Sequence, residues 1–548
     1  MVECLRGWRP LFDDAAIAWR SWDVFSGHSP LVGHMTALNG STTVYGLGPL
    51  QNWLLAVPVR IDPVHGALWG AAIVCGAGIA LGVEAGWSVG GWAGGAAVSA
   101  AEAFILLTRP DLALDPLWNP TMGVVWLVAA LAASWAAGSG RLGWWPVSVL
   151  AASVSAQCHE VFAATAMATC LLGGVLGVAV RRGRGGVVGW RWIVTGAAVG
   201  IACWAAPLVQ EVTGRPGNLT LLWDSGHGSS KLGLSWGMGA LAAAVRPFPD
   251  WWHIPVRSGR EMSLWSLVAS FKGPKPWAAI VLVLLFGVAV IGWRARRYPL
   301  AVLASVGLAG CITAVWSVSR FPWSGALAFR YLNVIWWPVG MVVFLALGWG
   351  LVEAARALVT RRLVAMWPCP MGREPLRFAG AVAMLAIGTV AVTTCLPEVR
   401  DDFRAVGGWQ TVGLVGHAVS SVERVAPRGP FALGFSGGPD PSADFAVVTG
   451  VAYGVHVAGY EPRVAGMASR YFGPSSRGAA GIPSVVLHLS GGWKDPWFRV
   501  AVVEPKVDQA QLDASGVNPS RARPELSESG PPPPMPGLQK SRGLSPPS

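Results

Sequence analysis

The sequence predicts an all-α polytopic membrane protein of about ten spans, with a small C-terminal extracytoplasmic α/β domain and a disordered tail. Three observations predict it. Hydrophobic residues make up 53% of the 548 positions and charged residues 13%, whereas a soluble globular chain carries about 25% charged residues. Apolar stretches of near-spanning length recur between residues 66 and 396, and arginines collect in alternate turns between them. The mean hydropathy of +0.47 and the 31 tryptophans agree, because the indole ring favours the headgroup level of a bilayer.

In chain order, residues 1–65 read as a polar first loop with juxtamembrane helices. They hold no basic start followed by an apolar run, so no secretory signal is read there. Residues 66–396 form the transmembrane domain. A spanning helix needs about 20 mostly apolar residues, and ten stretches qualify: 66–83, 89–107, 122–137, 144–156, 161–180, 192–209, 277–293, 299–318, 334–351 and 378–396. The fourth is short, with Pro146 near its start.

The turns between spans alternate in charge. Arg141 occupies one, and Arg181, Arg182, Arg184 and Arg191 fill another. Arg294, Arg296 and Arg297 fill a third, and Arg356, Arg361, Arg362, Arg373 and Arg377 a fourth. These are alternate turns, so they share one face, which the positive-inside rule makes cytoplasmic. The net charge of +12 therefore reads as topology, not as nucleic-acid binding. The remaining loops, which hold most acids and histidines, face outward. This parity sets Met1 outside, so a further span upstream of Met1 is expected.

After the last span the composition changes. Residues 397–507 read as an extracytoplasmic α/β domain, with strands at 431–436, 446–451, 484–489 and 498–503. Residues 442–460 read equally well as a helix. Residues 508–548, with prolines at 531–534, have the composition of a disordered Pro/Ser-rich tail. The eight cysteines show no metal-ligand spacing and no disulfide framework.

Five segments can carry chemistry. Asp13 and Asp14 open an amphipathic stretch before the membrane. A carboxylate at a membrane edge can act as a general base, its pKa raised by burial; the same pair also suits a helix N-terminus. Asp111, Asp115 and Asn119 lie in one short Pro-rich outer turn and read either as substrate contacts or as caps. His159 and Glu160 sit between two helices at the outer face. A divalent metal is possible there, but two side chains fall short of the three or four ligands a site needs. Arg320, Arg330 and Tyr331 share an outer loop, where arginine reads phosphate through paired hydrogen bonds or simply meets lipid headgroups. Asn218-Leu219-Thr220 matches a glycosylation sequon, a non-specific signal. Glu102, inside a span, reads as functional or as snorkelling to the interface.

The phrases DDAAIAWRSWDVFSG, PLVG, YGLGPLQNWLLAVPVR, PLWNP, WAAPLVQEVTGRPGNLT and RYLNVIWWPVG together resemble the GT-C glycosyltransferases. Within them the chain is similar to actinobacterial membrane relatives of the dolichyl-phosphate-mannose-protein mannosyltransferases and the aminoarabinose transferases. The resemblance covers most of residues 11–396. It implies a polyprenyl-phosphate-linked sugar donor, membrane lipids around it, and an extracytoplasmic glycan, lipid or protein acceptor. It also implies an inverting displacement with a first-loop aspartate, Asp14 or Asp13, as base. A transporter or lipid flippase without glycosyl transfer is the alternative, and predicts ionisable groups near mid-membrane with paired broken helices.

Sidedness is testable directly. Impermeant thiol labelling from outside should reach Ser26→Cys and spare Arg182→Cys in a cysteine-free background; the reverse pattern inverts the topology.

Overall fold

A computed structural model describes residues 8–39, 42–108, 115–225, 231–246, 276–321, 334–364, 408–427, 429–436, 441–464, 470, 472, 476, 482–490 and 497–503. The chain divides into two compact units, residues 13–406 with 1–6, and residues 407–548 with 7–12.

The first unit opens with helix α1 (Phe12–Asp23), whose first turn carries Asp13 and Asp14. A hairpin of β1 (Met35–Asn39) and β2 (Thr42–Tyr45) follows, then α2 (Leu50–Ile61). The hairpin is an addition to the helices expected in the first loop.

The next helix, α3 (Gly66–Thr108), is two spans folded back at Gly91, which has φ 58° and ψ −144°. Only glycine adopts that backbone without strain. Gly86 and Gly94 then face each other across the fold, their backbones in contact. Both ends of α3 therefore lie at the same end of the bundle.

Then come α4 (Asn119–Gly138), α5 (Trp145–Cys158), α6 (Glu160–Gly183) and α7 (Trp190–Thr213). Two short helices, α8 (Asn218–Ser225) and α9 (Leu234–Val245), precede α10 (Pro276–Arg294), α11 (Tyr298–Arg320) and α12 (Trp336–Val364). Among the described residues seven helices, α3 counted once, are long and apolar enough to cross a membrane. Together they make the chain a multi-pass membrane protein. The expected tenth span, 378–396, lies outside the described residues.

Helix α4 is the centre: every residue from Pro120 to Gly138 is buried. It packs against α3, α5, α6 and α11. Helix α5 has 14 residues, short for the roughly 30 Å hydrocarbon core. Its second half is wholly buried, so its ends meet protein before lipid. Apolar burial gives helices little drive to associate within lipid, so close packing and polar contacts do the work. Gly173 and Gly177 of α6 lie against the backbone of Ser134 and Ala137 of α4. Ser134 and Ser148 hydroxyls bond at 2.8 Å, and Thr313 donates to Thr165 at 3.0 Å. The outward faces of α7 and α10 expose Val194, Ile201, Val283 and Phe286, as lipid contact requires.

The basic turns converge at one end of this bundle. Arg181 donates to the Gly140 carbonyl at 2.9 Å, Arg184 lies over the Tyr298 ring, and Arg297 pairs with Glu353.

The second unit holds α13 (Gly408–Val425), β3 (Pro430–Ser436), α14 (Pro441–Val457), β4 (Glu461–Val464), β5 (Ser484–Ser490) and β6 (Trp497–Val503). The strand order is β4-β3-β5-β6, with β3 parallel to both neighbours and β6 antiparallel. Residues 446–451 lie in α14 and not in a strand, because the crossover between parallel β3 and β4 demands a helix. Phe431, Leu433, Val448, Val451 and Tyr453 form its core. Residues 8–12 belong to this unit, the Phe12 amide donating to Thr449 Oγ1 at 2.9 Å. The tail beyond residue 503 lies outside the described residues.

Gly91→Ala should cost about 1–3 kcal/mol of stability from backbone strain alone, since nothing stands within 4 Å of the added carbon. Gly90→Ala, equally open, is the neutral control; thermal unfolding in detergent reads the difference.

Candidate functional site

The site forms where α1 meets the start of α4, at the end of the bundle away from the arginine turns. Trp118 is the extended N-cap of α4, with Pro120 in the first turn. Its amide donates to Asp115 Oδ1 at 3.1 Å, so Asp115 closes a local turn. Its indole nitrogen donates to Asp13 Oδ2 at 3.3 Å. The segment is held from behind as well. Gln51 of α2 donates to the Leu117 carbonyl at 2.6 Å, and Cys75 of α3 approaches the Pro116 carbonyl at 3.7 Å.

Three half-buried carboxyl groups therefore stand in one corner. Burial pushes Asp14 well above the usual carboxylate range, and the charges of Asp115 and Asp13 push it further. Burial also raises Asp13, partly offset by the Trp118 hydrogen bond. Like charges at close quarters hold a proton among themselves, which gives the corner a base of raised basicity.

The loop around this corner is clamped from two sides. Arg20, 5% exposed on α1, donates to the Gly33 and Val32 carbonyls and lies over the Tyr45 ring at 5.5 Å. Burial lowers Arg20 to about 10, which leaves it charged. Burial and that charge push His34 down to about 3, so His34 is neutral.

On the other side, the Asn218 side chain joins β2 as a strand would. It accepts from the Tyr45 amide at 2.9 Å and donates to the Tyr45 carbonyl at 2.9 Å. Gln210 and Glu211 hold the start of α8, accepting from the Asn218 amide at 2.8 Å and the Leu219 amide at 2.7 Å. Asn218 is 2% exposed. The sequon is thus a structural clasp, its amide closed to an oligosaccharide.

His159 caps α6: its Nδ1 accepts from the Val161 amide at 3.2 Å, and Glu160 Oε2 stands 3.7 Å away. Asn119 is the first residue of α4. Arg320 ends α11 at a different place, its guanidinium over Trp316 at 5.1 Å. It lines a cleft of about 540 Å³ between α9, α10 and α11, with Leu241, Ile312, Val315 and Trp316 on the walls and Lys231 near it. Lys231 is brought there because Leu232 and Gly233 donate to the carbonyls of Phe321 and Ser319, both at 3.0 Å.

The structure thus joins Asp13, Asp14 and Asp115, keeps His159 and Glu160 at the start of α6, and puts Arg320 at the cleft. Asp111, Arg330 and Tyr331 lie outside the described residues. Lys231, Trp118 and Asn218 act through long-range partners. Of these only the PLWNP and GRPGNLT phrases drew notice in the sequence, and Lys231 had no local signal. Among the described residues no group of three His, Cys, Asp or Glu side chains stands close enough to hold a metal ion.

No family model matches the chain, and no curated protein sequence matches it. Among solved structures, the chain is similar to the crystal structure of ArnT from Cupriavidus metallidurans in the apo state. The TM-score is 0.42 at 17% identity, covering 89% of this chain and 91% of that one.

Asn218→Ala should cost about 1–3 kcal/mol, because the buried Tyr45 amide loses its acceptor. A lowered unfolding temperature with unchanged electrophoretic mass checks both the clasp and the closed sequon.

Proposed function

We propose that the protein is a membrane glycosyltransferase of GT-C type. It takes a sugar from a polyprenyl-phosphate donor and passes it to an acceptor on the extracytoplasmic face. The observation that carries this reading is the half-buried corner of Asp13, Asp14 and Asp115 at the end of the bundle opposite the arginine turns. The positive-inside rule makes that end extracytoplasmic.

Asp14 acts as the base. Its raised pKa makes it a stronger base toward an acceptor hydroxyl than an ordinary carboxylate. The hydroxyl oxygen attacks the anomeric carbon as the bond to the phosphate oxygen breaks, so configuration inverts. The carbon passes through oxocarbenium character, and polyprenyl phosphate leaves with the electron pair. Asp13, fixed by Trp118, orients α1 beneath it. The apolar cleft takes part of the lipid chain, each buried CH₂ contributing about 0.8 kcal/mol. Arg320 and Lys231 attract the donor's phosphate at the cleft as the lipid binds. Asp111, Asn119, His159, Glu160, Arg330 and Tyr331 are proposed as further substrate contacts. The acceptor is a glycan, lipid or protein.

A transporter needs a relay of ionisable groups through the bundle. Among the described residues Glu102 is the acid or base buried away from the span ends, and one group makes no relay.

Purified protein given radiolabelled polyprenyl-phosphate sugars should show turnover that falls about 10²–10⁴-fold in Asp14→Asn. Unchanged turnover in an Asp13→Ala/Asp14→Ala double variant removes the mechanism. Asp14 must be ionised to act, so activity falls as pH drops through its raised pKa. Asp115→Asn removes one charge that raises it, and the acidic limb of the pH–rate profile should move to lower pH.

A further inference from the structure

Glu102 is a buried acid, inside a span, that the proposed transfer leaves unused. It lies in the second arm of α3, six residues from the end at Thr108, or about 9 Å into the span. The side chain is 5% exposed, so it does not snorkel. Among the described residues neither carboxyl oxygen has a hydrogen-bond partner. A side chain on Gly82, in the facing arm, would meet both Glu102 Oε1 and Ala129 Cα of α4; glycine there is what admits the carboxyl between the three segments.

The carboxyl lines a slot of about 10 Å³, walled by Ile79, Ile105, Leu106, Val124, Val125 and Val128. That is room for about one water-sized group. Ile79 and Leu106 are half-buried, so the rim of the slot reaches the apolar surface of α3. Helical backbone has no free donors to offer, and no wall residue is charged. Among the described residues, α3 carries Cys75 and Glu84, the segment before α4 carries Asp115, and α4 itself carries none; α2 and α12, which also pack on α3, carry Arg60, Glu353 and Arg356. An ionised carboxylate here loses its hydration with no partner in return, so the neutral acid is the form that fits.

We infer that Glu102 is a membrane-embedded proton-binding site, reached from the lipid, whose neutral carboxyl keeps the α3 hairpin seated on α4. Its chemical signature is reaction with a hydrophobic carbodiimide. The carboxyl oxygen bonds to the central carbon of the reagent while the acid proton passes to one of its nitrogens. The O-acylisourea so formed rearranges by an oxygen-to-nitrogen acyl shift to a stable N-acylurea, and no other reactant is consumed. Loss of the proton sets an unsolvated charge between α3 and α4 and loosens their contact. Cys75, 7% exposed on α3 and against the Pro116 carbonyl, reports that loosening.

The full chain in phosphatidylcholine vesicles is treated with dicyclohexylcarbodiimide or with a water-soluble carbodiimide, and the adducts are mapped by peptide mass. Near neutral pH the expected adduct is on Glu102, from the hydrophobic reagent alone, and is lost in Glu102→Gln. Equal labelling by both reagents, or no Glu102 adduct from the hydrophobic one, overturns the site. Raising the pH should increase maleimide labelling of Cys75 several-fold more in the unsubstituted protein than in Glu102→Gln. An equal rise in both overturns the link to helix packing. Neither readout involves sugar transfer, so failure of the proposed enzymatic activity leaves both measurements intact.

Discussion

The buried helix α4 is the constraint on which the rest of the first unit depends. Inside a bilayer, apolar burial gives little reason for helices to associate, so association rests on close backbone approach and on polar contacts. Helix α4 offers both. Its alanines and glycines let α3, α5 and α6 approach closely, and Ser134 bonds across to Ser148. At its far end Trp135 donates from its indole nitrogen to the Pro299 carbonyl at 2.8 Å, which ties α4 to the start of α11.

The candidate site inherits its rigidity from this helix. Asp115, Leu117 and Trp118 are its leading residues, and each is engaged: one accepts from the turn, one receives Gln51, one holds Asp13. Three carboxyl groups can share a half-buried corner only where such a frame stops them from separating. The same frame holds the loop above it, through Arg20 from α1 and Asn218 from α8. Proximity of like charges and loss of water then raise the basicity of Asp14. This is how a carboxyl group acquires a raised proton affinity.

Glu102 illustrates the cost of the close approach. The glycine at position 82 brings the two arms of α3 together, and the acid is enclosed with no partner for its oxygens. A neutral carboxyl tolerates that enclosure and a charged one does not, so the packing of α3 on α4 is sensitive to a single proton.

Much of this was legible in the sequence, because spanning helices are set by local composition. The nine stretches from 66–83 to 334–351 correspond to helices α3 to α12 apart from the short α8 and α9, with the fold at Gly91 dividing the first two. The arginine turns pointed to a shared end, and Asp13, Asp14 and Asp115 stood out as acids beside the membrane. What the sequence left open were matters of partner. It did not tell whether Asn218 faced water or the edge of β2. Nor did it tell whether Glu102 reached the interface, or that Lys231 would stand beside Arg320. Composition acts over a single stretch of chain, so it determines which segments enter the bilayer. Contacts between residues far apart in sequence depend on which helix faces pack together, and only the tertiary structure decided those.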